Sequence, residues 1–184
     1  MNSNYVATGK PNIEGAIFSA ELSSTLVLPQ SASSTLPSDF KELGFASDAG
    51  LVNSNTREST DIKDWGGTTV ASDQTSVEDK FKFTLIEATN IQTLKEIYGA
   101  GNVSGTLATG ITINANSLDL PVKAWVFDMA MTADTIKRIV LPCAKITAVG
   151  DINYTAENAV GYETTLTAYP DEDGNTHYEY ILQA

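Results

Sequence analysis

The chain has 184 residues, of which 42% are hydrophobic and 18% charged, a balance typical of one folded domain and not of a disordered chain. It carries 11 Lys and Arg against 23 Asp and Glu, a formal net charge of −12, which disfavours a basic surface for nucleic-acid phosphates. A single cysteine, Cys143, excludes an internal disulfide. No segment offers the roughly 20 apolar residues of a membrane-spanning helix.

The N-terminal quarter is predicted to be largely irregular. Residues 1–12 are small and polar, which indicates a flexible N-terminal arm, and a short strand is predicted over 13–20. Residues 21–44 form a long loop rich in Ser, Thr and Pro. Because compact domains seldom keep so long a loop without a purpose, it either orders only against a partner or stays mobile.

The following segment is predicted to form strands. Two are predicted over 45–53 and 58–64, then a turn at Gly66-Gly67 and a third strand over 70–87. The third shows the clearest alternation of apolar and polar residues. One of its faces carries Phe81, Phe83 and Leu85, and the other carries Lys80, Lys82 and Thr84.

One short helix is predicted, over about residues 89–98. Thr89 and Gln92 fit a capping box at its start, and Gly99 stands where a left-handed C-terminal cap belongs. Its apolar stripe has helical spacing and consists of Ile91, Leu94, Ile97 and Tyr98. The helix is expected to cover one open end or face of the β structure.

The remainder of the chain is predicted to be almost entirely strand. A glycine-rich connection over 99–110 precedes strands over 122–131 and 134–141. The second has apolar residues on both faces, which indicates burial on two sides. Pro142 is expected to end it, and a new strand is predicted over 144–154.

Two more strands complete the prediction, over 158–169 and 178–182, joined as a hairpin by the turn signal Asp173-Gly174-Asn175. Several successive strands and one short helix indicate a mainly β fold, a β-sandwich or barrel with a flanking helix. Residues 1–184 are therefore predicted to be a single domain.

No group of residues predicts a catalytic, metal or cofactor site. The lone His177 has no second histidine and no nucleophile beside it in the sequence, and Cys143 lies in an apolar context typical of a buried thiol. Residues 171–174 are acidic but lack the spaced ligands of a calcium loop. The glycines of 99–105 follow a helix, whereas a dinucleotide fingerprint opens one. We therefore expect a protein that is not an enzyme.

Taken together and in order, several segments resemble one family. They are residues 16–20, 39–51, 60–70, 81–87, 94–99, 137–146 and 161–180. The most specific piece is Asp64-Trp65-Gly66-Gly67. Over nearly its whole length the chain resembles the major tail tube proteins of siphophages that infect Gram-positive bacteria, a family related in fold to the inner tube proteins of type VI secretion.

The resemblance implies a structural virion protein, made in the host cytoplasm and located in the tail. Its subunits would form hexameric rings that stack into a hollow tube, through which DNA passes during ejection without specific binding. The expected partners are further copies of the chain, the tape measure protein and the tail terminator and tip proteins, with no cofactor and no membrane. Some members add a C-terminal immunoglobulin-like domain, which is not expected after the last predicted strand.

The resemblance also suggests where subunits meet. The long loop and the N-terminal arm could reach a neighbouring ring and order there. The Trp-Gly-Gly turn offers a contact anchor, although Trp65 fits the core equally well. The candidate interface residues are Leu26, Val27, Leu28, Leu36, Phe40, Trp65, Gly66 and Gly67.

Two explanations of the acidity stay open. An acidic lumen would repel DNA phosphates and let the genome slide, or the charge only keeps the protein soluble. A different function also remains open, that of a carbohydrate-binding or adhesin-like β module, because Tyr169, Tyr178 and Tyr180 could stack on sugars.

Overall fold

The computed structural model describes residues 5–12 and 15–183, and it confirms a mainly β fold with one short α-helix. The strands are β1 (Gly9–Pro11), β2 (Ile17–Glu21), β3 (Lys41–Glu42), β4 (Val52–Lys63), β5 (Thr69–Leu85), β6 (Val103–Thr106), β7 (Gly110–Ile113), β8 (Lys123–Met131), β9 (Thr135–Val149), β10 (Tyr162–Tyr169) and β11 (Tyr178–Gln183). The helix α1 spans Ile91–Tyr98, and a 3₁₀ turn spans Ala100–Asn102. The first predicted strand therefore begins later than expected, and its residues 13 and 14 lie outside the described part.

An antiparallel hairpin of β8 and β9 forms the centre of the main sheet. Its register places Phe127 opposite Ile139 and Val126 opposite Val140. Successive residues of a strand point to opposite faces, and here both faces are covered, since Ile139 is 4% exposed and Val140 only 1%. The prediction that this strand is buried on two sides is confirmed.

The expectation that Pro142 ends this strand is wrong, because β9 continues through it to Val149. Proline cannot donate to a ladder, but little pairing is required at this position. On one side β11 pairs with β9 as far as Val140, and β10 takes over at Cys143. On the other side, the register with β8 shifts next to Lys123.

Each long central strand is flanked by two short strands that follow one another along its edge. β1 and β2 both pair with β8, at Met129–Met131 and at Lys123–Phe127 respectively. Part of the predicted flexible N-terminal arm is therefore a short strand. β10 and β11 are both antiparallel to β9. The predicted hairpin between these last two strands is wrong, because each pairs with β9 and not with the other.

The main sheet runs in the order β3-β2-β8-β9-β10-β5-β4 and folds over in a sandwich-like arrangement. Residues 43–47 join its two sides: the Leu43 amide donates to Ile17 (3.0 Å), and the Ser47 amide donates to Thr84 (2.8 Å). The strand predicted over 45–53 is thus reduced, before β4, to a single bridge between Ala46 and Leu85.

The space enclosed by the sheet holds the inner core. Phe81, Phe83 and Leu85 point into it, as the alternation predicted, and are at most 2% exposed. Phe83 packs edge-on against Phe127 with ring centroids 5.4 Å apart. Full burial of each such side chain contributes about 1.5–3 kcal/mol, so this stretch of β5 is a principal source of stability.

The helix α1 closes one end of the inner core, together with the small β6–β7 hairpin. Its N-cap is Asn90, whose side chain accepts from the Gln92 amide at 2.9 Å, so the predicted cap at Thr89 is wrong by one residue. The buried faces carry Leu94 and Ile97. Gly99 has φ 90°, a conformation that L side chains rarely adopt.

The connections are longer than the sequence predicted. β9 ends at Val149 and β10 begins at Tyr162, so the predicted strands over 144–154 and 158–169 are both shorter in the structure. Conversely, the predicted glycine-rich connection over 99–110 contains β6.

Candidate functional site

A two-stranded ribbon, residues 54–78, is the most exposed feature of the fold. β4 is one continuous strand that pairs with β5 along its whole length, from Val52 to Lys63. The strand predicted over 58–64 lies almost wholly within it, but the break predicted between residues 53 and 58 does not occur. β10 pairs with β5 only from Asp79 to Leu85. Beyond Asp79 the hairpin therefore leaves the sheet and projects from it.

The ribbon has no cover of its own on either face. Every residue of β4 is exposed, and the residues of β5 before Asp79 are exposed apart from Ser76. A two-stranded hairpin is marginally stable by itself in water. Because the ribbon projects with both faces exposed, it is the element of the fold that packing against another molecule would stabilise most.

The tip of the ribbon is a tight turn that presents a tryptophan. The Asp64 carboxylate accepts from the Thr68 amide at 2.8 Å, and the Asp64 carbonyl accepts from the Gly67 amide at 3.0 Å. Gly67 has φ 86°, which favours glycine. Trp65 is 105% exposed, which rules out the core position that the sequence left open for it.

A buried carboxylate anchors the base of the ribbon. Asp79 is 1% exposed and accepts from Asn53 at 2.8 Å, from the Thr176 hydroxyl at 2.6 Å, and lies 2.6 Å from Nδ1 of His177. Burial acts to raise the pKa of Asp79, but hydrogen bonds from Thr176, Asn53 and His177 outweigh it and hold the pKa below its usual value. His177 lies just before β11, not within it, and clamps the ribbon's base to the C-terminal segment.

The loop between β2 and β3, residues 22–40, packs on the chain's own sheet and is called the covering loop. Phe40 is 7% exposed, and Leu26, Leu28 and Leu36 pack with it against the outer face of the central hairpin. The explanation that this loop orders only against a partner is therefore wrong. Of its candidate interface residues, only Val27 is largely exposed, at 67%.

A buried arginine holds the covering loop in place. Nε and Nη2 of Arg138 donate to the two carboxylate oxygens of Asp128 at 2.6 and 2.7 Å. Its Nη1 donates to the carbonyls of Ser31 (3.1 Å) and Ser34 (2.6 Å). The planar guanidinium thus donates to the Asp128 carboxylate on β8 and to two carbonyls of the covering loop at the same time.

Cys143 and the acidic residues near Asp171, which the sequence analysis considered as candidate sites, have local structural roles. Burial, with a smaller effect of Asp171, raises the pKa of the Cys143 thiol, which favours its protonated form over the nucleophilic thiolate. Asp171 organises its own turn, because one carboxylate oxygen accepts from the amides of Asp173 and Asn175. Among the described residues, no group of His, Cys, Asp and Glu could hold a metal ion. No helix in the described part is long and apolar enough to cross a membrane.

Two of the three tyrosines suggested to stack on sugars, Tyr178 and Tyr180, make contacts within the subunit. Tyr178 and Tyr180 stack on each other with centroids 6.5 Å apart and pack beside the covering loop. The Tyr178 hydroxyl donates to Asp171 at 2.7 Å. Tyr169 is 38% exposed, whereas Tyr178 and Tyr180 are half-buried against the covering loop, which leaves less of their rings open to stack on a sugar.

Among the described residues, the exposed ribbon is the feature that points most directly to contact with another molecule. The family model described as phage tail tube protein matches residues 2–184 of this chain. The chain belongs to the phage tail tube protein family. No curated protein matches it significantly.

Membership in the phage tail tube protein family gives the chain a structural role in the virion tail, self-assembled into a tube and associated with other tail components. Within that role, the structure divides the candidate interface residues into two sets. Trp65, Gly66, Gly67 and Val27 face outward, whereas Leu26, Leu28, Leu36 and Phe40 pack on the subunit itself.

Sequence reasoning missed the residues that position these surfaces. Asp79, Asp128 and Arg138 are buried and charged, and each interrupts an otherwise apolar face or run. That interruption was the available signal, since a charge in a core position generally has a partner. Their partners, however, come from segments distant in sequence.

Proposed function

We propose that subunits of this chain close into hexameric rings, that the rings stack into a hollow tail tube, and that the tube conducts DNA during genome ejection. The observation that carries the proposal is the bare ribbon. Heterologous contacts between different surfaces of one chain close into rings or repeat along an axis. A projecting ribbon and a separate body provide two such surfaces.

The charge supports the conducting role. A net charge of −12 per subunit makes an assembled tube strongly acidic, and DNA phosphates would be repelled from any acidic lumen wall. A tube of this kind surrounds DNA without holding it. The proposed protein works without catalysis and without a cofactor, and DNA is its transient cargo.

The remaining partners follow from the family role. We propose that the tube is built around a tape measure protein, that it ends at terminator and tip proteins, and that the chain is made in the cytoplasm of a Gram-positive host. The interface includes the ribbon tip, with Trp65, Gly66 and Gly67, and the outward side of the covering loop, with Val27. Leu26, Leu28, Leu36 and Phe40 contribute by holding that loop in shape.

Shortening the ribbon tests the proposal. Residues 57–77 are replaced by Asn-Gly, a two-residue hairpin turn, which retains the cross-strand pair of Thr56 and Glu78 and the Asp79 anchor. We expect the shortened subunit to keep the thermal unfolding midpoint of the intact chain, because the ribbon packs on nothing. We expect it to form no tubes by negative-stain electron microscopy.

The control replaces residues 107–108, two of the three residues of the β6–β7 turn, with Asn-Gly, and should leave tubes intact. Tubes of normal bore from the shortened subunit would refute the role of the ribbon. An intact chain that remains a monomer at all concentrations and binds glycans would instead favour the carbohydrate-binding module.

A further inference from the structure

We infer that Trp65 of one subunit inserts into an apolar groove beside the base of a neighbouring subunit's ribbon. This inference rests on the proposed function and deepens it by naming both halves of one contact. The insert is the ribbon tip, and the receptor is a groove of about 390 Å³ between β1 and residues 46–51.

The groove has the lining that an indole ring requires. Its walls are mostly apolar, and its floor reaches the inner core. The large apolar lining residues are Pro11, Ile17, Leu51, Phe83, Phe127 and Met129. Concave sites lined by apolar and aromatic side chains, with a few polar groups at the edge, are where large rings are usually bound.

A subunit cannot fill this groove with its own tryptophan. Leu51 lines the groove and directly precedes β4, whereas Trp65 lies beyond the far end of that strand. At about 3.3 Å per residue, the ten steps from Val52 to Ile62 separate base and tip by about 33 Å. We therefore assign the groove to the tip of a second copy.

The charges at tip and groove are complementary. Lys10 and Asp48 are exposed at the groove, and Lys63 and Asp64 flank the tryptophan at the tip. The exposed rim of each surface thus carries one base and one acid, which allows two opposite-sign pairs around the inserted ring. The third charged residue of the groove, Asp128, is buried and already ion-paired. Charges at the rim of an interface set the orientation of the two partners more than they add affinity.

The contact is an anchor within a larger interface. A tryptophan buries up to about 250 Å², well below the roughly 800 Å² per partner of a stable interface. The bare faces of the ribbon supply the remaining area when they lie against the neighbouring body. A buried Trp near the centre of such a surface is the usual position of a binding hot spot.

The first test compares Trp65→Ala with Tyr154→Ala, which removes another exposed aromatic ring, 75% exposed, away from the ribbon. We expect Trp65→Ala to raise the critical concentration for tube formation at least about tenfold, measured by sedimentation. Its monomer should unfold at the temperature of the intact chain, because the indole packs on nothing there. Tyr154→Ala should assemble at the intact chain's concentration.

The second test traps the contact directly. Cys143 is first replaced by serine, and subunits carrying Trp65→Cys are mixed with subunits carrying Ser47→Cys, a groove residue. Loss of the indole weakens assembly, so the mixtures are oxidised at subunit concentrations above the raised critical concentration, where the faces of the ribbon still hold the tip at the groove. A disulfide needs Cα atoms within about 7 Å, so oxidation of these assembled mixtures should give linked dimers. Mixing Trp65→Cys with Leu107→Cys, which lies outside the groove, should give none.

The outcomes separate this inference from the proposed function. Tubes that form at the same concentration with Trp65→Ala, or that give no dimers with Ser47→Cys, overturn the inference and leave the tube itself standing. An intact chain that never assembles under any condition overturns both.

Discussion

Three buried charges fix the arrangement of this subunit at the scale of single residues. Asp79 joins the base of the ribbon to Thr176 and His177. Lys123 lies 2.9 Å from Glu96 and ties α1 to β8, while Arg138 ties the covering loop to Asp128. Buried ion pairs often add little net stability, but loss of one partner leaves an uncompensated charge, so each residue determines which segments stay together.

Asp79 gives the subunit an acid-sensitive contribution to stability. Its folded pKa lies below the ordinary value near 3.8, because hydrogen bonds from Thr176, Asn53 and His177 outweigh the effect of burial. A depressed carboxyl pKa stabilises the fold above the unfolded-state pKa, and this contribution is lost as the pH falls through the folded pKa.

We predict that Asp79→Asn lowers the free energy of unfolding by about 2 kcal/mol near neutral pH, measured by urea titration. The deficit relative to the intact chain should be constant down to about pH 5 and shrink below about pH 4. Asp73→Asn, on the exposed ribbon, is the control and should change stability by less than about 0.5 kcal/mol. A deficit that persists unchanged in acid would contradict this role.

At the scale of elements, the covering loop and the ribbon behave oppositely. The covering loop has little regular structure, yet it buries Phe40 against the sheet and satisfies Arg138 with its carbonyls. The ribbon has regular pairing throughout, yet buries almost nothing. Regular hydrogen bonding therefore does not indicate which element is stable within a single subunit. Apolar burial does, and the ribbon, which lacks it, is expected to be stabilised by contact with another subunit.

We predict that Arg138→Lys releases the covering loop without unfolding the sheet. Lysine keeps the charge for Asp128 but lacks the planar fork that also reaches Ser31 and Ser34. Limited proteolysis should cut within residues 22–40 several times faster than in the intact chain. The control Arg57→Lys, on the ribbon, should leave the rate of cleavage within residues 22–40 unchanged. Equal cleavage rates in Arg138→Lys and the intact chain would show that the apolar contacts alone hold the loop.

The packing of the covering loop on the sheet determines what its deletion would do. A loop that ordered only against a partner could be removed with little effect on folding. Removal of residues 22–40 instead exposes the outer face of β8 and β9, with Val126 and Val140 now 0% and 1% exposed. Loss of tubes from such a deletion would therefore report folding as well as assembly, and single substitutions separate the two.

At the scale of the whole molecule, charge opposes assembly while the ribbon favours it. Subunits with a net charge of −12 repel one another at long range. Association therefore needs a short-range contact strong enough to overcome that repulsion, as an aromatic anchor with apolar ribbon contacts provides. The acidity that supports the proposed DNA conduit thus makes assembly sensitive to salt.

We predict that the critical concentration for tube formation falls as salt rises from about 10 mM to about 150 mM, which shortens the Debye length from about 30 Å to about 8 Å. Sedimentation of the intact chain at each salt concentration measures this. A critical concentration that rises with salt would mean that attraction between opposite charges, and not apolar contact, dominates the interface.

Local patterns were sufficient to predict much of the architecture. The alternation of Phe81, Phe83 and Leu85 gave the inner face of β5, and the stripe containing Leu94 and Ile97 gave the helix. The predicted ends of helices and strands were less accurate. The start of α1 at Asn90 and the continuation of β9 through Pro142 both depend on which neighbouring groups are available for hydrogen bonding. For the ribbon, the sequence predicts the turn and the second strand but not the full length of the first strand, because the polar residues of β4 carry no periodic signal.

The sequence by itself determined the class of the fold, the absence of a disulfide, the acidity and the family, because each is a property of composition or of residues in local order. Only the tertiary structure decided that the long loop is part of the subunit and that the Trp65 ring is presented to solvent. Burial is a relation between segments distant along the chain, such as the loop carbonyls and Arg138. For the same reason, the groove that we assign to Trp65 became visible only when β1, β8 and residues 46–51 came together.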